Sequence, residues 1–67
     1  MNLSKTYIFC RFDQLEARLS RNIPGDRDNC LNVMRALIEG GRSAETITER
    51  EIFDLQAIID KYSLTNE

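Results

Sequence analysis

The chain has no histidine and no tryptophan, and its 67 residues include only two cysteines, one proline and three glycines. The absence of histidine removes a common metal ligand and the most frequent general base. Cys10 and Cys30 stand alone, whereas zinc sites use closely spaced pairs of cysteines. We therefore expect no metal, no cofactor, no small-molecule substrate and no enzymatic activity.

Long apolar runs are also missing. No apolar stretch approaches the roughly 20 residues that a membrane-spanning helix needs. Residues 1–6 lack the basic segment followed by an apolar run that marks an export signal. These features predict a cytoplasmic protein with no membrane partner. Cys10 and Cys30 are then expected to stay reduced, and a disulfide between them is the alternative.

The charge is distributed unevenly along the chain. Residues 1–42 carry seven basic and five acidic groups, whereas residues 43–67 carry two basic and six acidic groups. Nucleic-acid binding normally needs a concentrated basic face, which no stretch supplies, so we do not expect a nucleic-acid partner. The alternative is a dimeric DNA-binding transcriptional regulator in which both copies present the basic residues of the first helix: Lys5, Arg11, Arg18 and Arg21.

Residues 4–21 predict the first helix, with Ser4 as its N-cap and Leu3 packed against Ile8. Apolar residues recur at intervals of four, three and four, which places them on one side of a helix. They are Ile8, Phe12, Leu15 and Leu19. Because residues 6–12 are rich in aromatic and β-branched types, a strand is the alternative for that part.

A turn at residues 22–25 separates this helix from a second one, which Asp26 caps and which runs to about Glu39. Gly40 and Gly41 are predicted to end it, because glycine enters the left-handed conformation at helix ends without steric cost. Apolar side chains fill one arc of the second helix. They are Cys30, Leu31, Val33, Met34, Leu37 and Ile38.

The third helix has the most specific start signal in the chain. Thr48 and Glu51 have the spacing of a capping box, and Ile47 and Ile52 that of the hydrophobic staple around it. The helix is predicted from Glu49 to about Tyr62, with a main apolar stripe facing the core. Its members are Ile52, Leu55, Ile58, Ile59 and Tyr62. A second apolar set lies on the far side, and either an intramolecular contact or an interface would explain it. Its members are Phe53, Ala57 and Leu64.

These elements predict an all-α fold in a single small domain, residues 1–67. Helices two and three form a hairpin, and helix one packs across the hairpin or across a dimer interface. A chain this short buries only about 60% of the surface that its unfolded form exposes, and small domains often gain stability by association. We therefore expect another protein or a second copy as partner, with a homodimer favoured.

From about Val33 onward the chain resembles the two-helix aspartyl-phosphate phosphatases that regulate sporulation. The resemblance rests on a helix that ends near glycine and on six residues of the third helix. They are Glu51, Ile52, Leu55, Ile59, Asp60 and Lys61. Gln56 replaces the serine of that family's Ser-x-x-x-Asp motif, so phosphatase-like regulation of a response regulator is kept as an alternative function. Small helical-hairpin co-chaperones of type III secretion are similar in outline to the same degree.

The leading hypothesis is a small non-enzymatic adaptor, inhibitor or regulator that acts through protein–protein interaction. Surplus apolar positions in a chain without a catalytic constellation favour it. Three acidic residues of the third helix, Glu49, Asp54 and Asp60, would form a rim that sets orientation and association rate. The candidate partner-binding residues are Tyr7, Phe9, Phe12, Phe53, Asp54, Ala57 and Asp60.

Overall fold

The computed structural model describes residues 4–63 of the chain. The predicted contact of Leu3 with Ile8 and the assignment of Leu64 to the far side of the third helix lie outside the described residues. Within them the fold is all-α, with three helices in the order predicted from the sequence.

The first helix, α1, runs from Lys5 to Leu19. The Ser4 hydroxyl accepts a hydrogen bond from the backbone N–H of Tyr7 at 3.2 Å, which confirms Ser4 as the N-cap. Residues 6–12 are helical, so the strand alternative is wrong. The predicted apolar stripe is buried in full. Its helical spacing therefore decides the structure of this segment over its β-branched and aromatic composition.

The second helix, α2, runs from Arg27 to Ala44. The prediction that Gly40 and Gly41 end it is wrong, since both are helical and the left-handed residue that follows α2 is Glu45, with a φ of 57°. A Cβ atom at Gly41 would lie 2.7 Å from Cδ1 of Ile47 and 2.8 Å from Cδ1 of Ile8. Gly41 is there because two isoleucines pack directly on the backbone of α2. That contact is not visible in the local sequence.

Asp26 precedes α2 as predicted, but its side chain makes no capping hydrogen bond. Its carboxylate instead accepts two hydrogen bonds from the Arg18 guanidinium, at 2.6 and 3.1 Å. This ion pair joins the end of α1 to the beginning of α2. Gly25, with a φ of 80°, lies in the turn between them.

The third helix, α3, runs from Glu49 to Ser63. The capping box at its start is complete. The Thr48 N–H donates to the Glu51 carboxylate at 2.8 Å, and the Glu51 N–H donates to the Thr48 hydroxyl at 3.1 Å. Ile47 and Ile52 are both buried, as the staple requires. The beginning of α3 is thus fixed by four neighbouring residues, as predicted.

Two polar contacts between α1 and α3 define their relative direction. Lys5 pairs with Glu51 at 2.9 Å, and the Tyr62 hydroxyl donates to the Glu16 carboxylate at 3.3 Å. The partners on α1 and the partners on α3 are both eleven residues apart, about 16 Å along a helix axis. α1 and α3 are therefore parallel neighbours, and α2 runs antiparallel to both. α1 packs on α2 and α3, in the predicted three-helix arrangement.

The three helices enclose one apolar core, to which each contributes. Its most completely buried large side chains are Ile8, Met34 and Ile59. The accessible surface of 4640 Å² is close to the roughly 4,400 Å² expected for a folded monomer of this mass. Across residues 4–63, no helix combines the length and apolar character needed to cross a bilayer.

Candidate functional site

The residues predicted to bind a partner divide by exposure into three groups: buried, half-buried and exposed. Phe12 is 2% exposed and belongs to the core, so its assignment to a binding surface is corrected here. Phe12 continues the stripe that α1 buries, and one side chain cannot serve both surfaces. Phe9 is half-buried and packs against the core from its edge. Tyr7 is 43% exposed on α1.

The four predicted residues on α3 are all exposed, and they share its outer side. They are Phe53, Asp54, Ala57 and Asp60. Phe53 is 70% exposed, the largest value among the exposed large apolar side chains of the described residues. Of the two explanations for the second apolar set, an intramolecular contact is therefore wrong for Phe53 and Ala57.

Helix geometry gives this side of α3 a definite order. Glu49, Phe53, Gln56 and Asp60 are separated by four, three and four residues, so they form one line along the helix, about 16 Å long. We call these four residues the outer stripe. It places one aromatic ring and one amide between two terminal carboxylates. Phe53 and Asp60 were predicted for the site and Glu49 for its acidic rim, but Gln56 was not, although the same spacing identifies it.

The charged side chains beside the outer stripe are partly engaged with one another. Arg50 lies 3.5 Å from Asp54 in an exposed ion pair, and the Lys61 ammonium lies 5.3 Å from the centre of the Tyr62 ring. Gln56 donates to the Asp60 carboxylate at 3.4 Å. Gln56 and Asp60 are the positions that correspond to the phosphatase motif in the resemblance described above. Here they form an exposed amide–carboxylate contact.

A second group of polar residues lies between α1 and α2. Arg18, Asp26 and Cys30 line a cavity of about 180 Å³ between the two helices. Arg18 and Asp26 also line a second cavity, of about 320 Å³, at the turn. The Cys30 thiol donates to the Asp26 carboxylate at 3.6 Å. Burial, and then the neighbouring Asp26 charge, raise the pKa of the Cys30 thiol. A protonated, 2% exposed thiol is a core residue and a poor nucleophile.

Three of the four basic residues of the DNA-binding alternative hold side-chain partners within the same chain. Lys5 pairs with Glu51, Arg18 pairs with Asp26, and Arg11 donates to the Gln14 side chain at 2.9 Å. Phosphate contacts would have to compete with these partners. Cys10 and Cys30 are both free thiols, the first exposed and the second buried. In the part of the chain that the structure describes, no group of three or more acidic, cysteine or histidine residues is placed to hold a metal ion.

Comparison of the chain with models of protein families, with curated proteins and with solved structures finds no match.

Proposed function

We propose that this protein is a small non-enzymatic adaptor, inhibitor or regulator that covers part of another protein with the outer side of α3. The observation that carries the proposal is the 70% exposure of Phe53 on a helix that buries Ile52, Leu55 and Ile59 on its opposite side. Covering a phenylalanine side chain stabilises a complex by about 1.5–3 kcal/mol. A partner that covers Phe53 gains this free energy of burial, because folding of the chain leaves the side chain exposed.

The surroundings of Phe53 support this proposal. Ala57 lies one turn further along the helix and is exposed, as are Asp54 and Asp60 around it. An aromatic centre inside a polar rim is the usual arrangement of an interface hot spot. The rim carboxylates would orient the partner and accelerate association more than they would add affinity.

The fold supports the proposal because it does not depend on this side of α3. The apolar core is formed entirely by other side chains. The outer side of α3 is therefore available to a partner without unfolding the domain. The partner is another protein or a second copy of this chain.

Capture with matched variants tests the proposal. The immobilised wild-type protein, Phe53→Ala and the control Val33→Ala are incubated with native lysate, and bound proteins are quantified by mass spectrometry. Val33 is also an exposed apolar residue, at 38%, but lies on α2. Truncation of a hot-spot residue costs about 2 kcal/mol or more, so we expect Phe53→Ala to lose at least roughly 30-fold of the specific enrichment. Val33→Ala should retain it.

Two results would contradict the proposal. In one, Phe53→Ala retains every protein that the wild type enriches. In the other, Val33→Ala loses the same proteins to the same extent. Sedimentation equilibrium of the purified chain separates the two kinds of partner, because a dimer that Phe53→Ala dissociates would identify a second copy on this surface.

A further inference from the structure

We infer that the partner segment covering α3 is a basic amphipathic helix of another protein, with cationic side chains on either side of an apolar one. This inference rests on the proposed function and concerns the same surface. It starts from the exposed ring of Phe53 and from the charges that lie along the same line of the helix. The outer stripe presents Glu49 at one end and Asp60 at the other, with Phe53 and Gln56 between them.

The pattern of ion pairs leaves the charge of the outer stripe uncompensated. The ion pairs recorded within residues 4–63 engage three other carboxylates, those of Asp26, Glu51 and Asp54. The two cations of α3 lie off the stripe, Arg50 beside Asp54 and Lys61 over the Tyr62 ring. The apolar ring is therefore bracketed by two carboxylates with no cation on the same line. A partner with cations at both ends of its contact surface complements this arrangement.

The dimensions of the outer stripe suit a helix lying along it. Glu49 and Asp60 are eleven residues apart, about 16 Å, which is the separation of residues i and i+11 on a second helix. Residues i+4 and i+7 of that helix would then face Phe53 and Gln56. Recognition of this kind lays one amphipathic helix face on a complementary surface.

A second copy of this chain fits the outer stripe less well. Its own cations on α1 already hold intramolecular partners, since Lys5 pairs with Glu51, Arg18 with Asp26, and Arg11 with Gln14. Self-association through α1 would have to break these contacts before forming new ones. These contacts of α1 therefore favour a different protein over self-association through α1.

A synthetic probe tests the inference. The probe is an alanine- and glutamine-based helical peptide of about 20 residues, with arginine at positions i and i+11 and leucine at i+4 and i+7. In the control peptide, glutamate replaces both arginines. Binding to the isotope-labelled protein is followed by NMR titration at low salt, with wild type, Phe53→Ala, the double variant Glu49→Gln/Asp60→Asn, and the control double variant Asp28→Asn/Glu39→Gln on α2.

The arginine peptide should bind the wild type with shifts centred on the outer stripe, and the glutamate peptide should not. Each exposed ion pair contributes a few-fold to affinity, so the stripe double variant should raise Kd by roughly tenfold and the α2 double variant should leave it unchanged. Raising the salt from about 50 to 300 mM should weaken wild-type binding to a similar extent. Equal binding of both peptides, no binding of either, or equal effects of the two double variants would overturn the inference.

The proposed function and this inference fail in different ways. If Phe53→Ala abolishes capture of a partner from lysate while Glu49→Gln/Asp60→Asn retains it at every salt concentration, the surface is functional but its partner is not basic. If sedimentation shows a dimer that Phe53→Ala dissociates, the occupant is a second copy and the inference is wrong. If Phe53→Ala retains all partners, the proposed function itself fails.

Discussion

Phe12 and Phe53 are the same residue type in two helices of one small domain, yet 2% of the first and 70% of the second is exposed. Phe12 lies on the stripe that α1 buries against the other helices. Phe53 lies on the side of α3 opposite its buried stripe, between carboxylates. The comparison separates the two tasks of the apolar residues in this chain: the inner ones hold the fold, and we propose that the outer one binds a partner.

The sharpest test of this comparison truncates both rings. Phe12→Ala removes a buried ring and leaves a cavity, so it should lower the free energy of unfolding by about 3–5 kcal/mol. Because domains are stable by only about 0.05–0.15 kcal/mol per residue, that loss is enough to unfold much of the protein. Phe53→Ala should change stability by less than about 0.5 kcal/mol. Urea denaturation followed by circular dichroism measures both, and comparable losses in the two variants would contradict the separation.

A smaller effect is expected at the closest approach of backbone and side chains in the core. In Gly41→Val, the new Cβ atom would meet the ends of Ile8 and Ile47 at less than 3 Å. Overpacking of this kind costs about 1–3 kcal/mol. Ala36→Val is the matched control, since Ala36 is exposed on α2 and the change there alters little but helix propensity. Thermal unfolding of both variants would refute the packing explanation if the two midpoints fell equally.

The capping box sets the first residue of α3. It therefore determines where both the buried stripe and the outer stripe of this helix begin. Thr48→Ala removes the hydroxyl that accepts the Glu51 N–H, with an expected loss of about 1 kcal/mol within a range of 0.5–2. Thr48→Ser keeps the hydroxyl and should lose much less. Denaturant titration compares them, and an Ala variant as stable as the Ser variant would show that the cap is not needed.

The smallest effect is a dependence of stability on pH. The pKa of the Glu51 carboxyl is lowered, first by its bond with Lys5 and then by the Thr48 N–H. A carboxyl with a lowered pKa in the folded state contributes stability above its ordinary pKa of about 4.3, and this contribution disappears as the pH falls through the lowered value. Glu51→Gln should therefore be less stable than wild type at neutral pH, and the difference should vanish in acid. Urea midpoints over a descending pH series measure it, and a constant difference would contradict the assignment.

The sequence was sufficient to predict the features that depend on near neighbours. The start of α3 rests on Thr48 and Glu51, three residues apart, and the buried stripe of α1 on helical spacing alone. The end of α2 was predicted wrongly because Gly41 is determined by contacts with Ile8 and Ile47, which are distant in sequence or lie beyond the helix. The Arg18–Asp26 ion pair spans a turn and was not predicted for the same reason.

The candidate site was predictable to a similar extent. The position of Phe53 on the far side of α3 follows from helix periodicity, and its exposure confirms that placement. Periodicity also places Phe12 in the core stripe, so the prediction that Phe12 binds a partner contradicted the pattern. Tyr7 and Phe9 lie on different sides of α1. Their difference in exposure depends on how the neighbouring helices pack against those sides, which the local sequence does not show.

The central claim is that Phe53 is exposed in order to contact a partner, and photo-cross-linking in cells tests it most directly. A photoreactive phenylalanine analogue is placed at position 53, and in a matched protein at position 33 on α2. The account predicts one discrete cross-linked protein from position 53 that is absent from position 33. The account would be contradicted if position 53 gave no cross-linked protein, or if positions 53 and 33 gave the same cross-linked proteins.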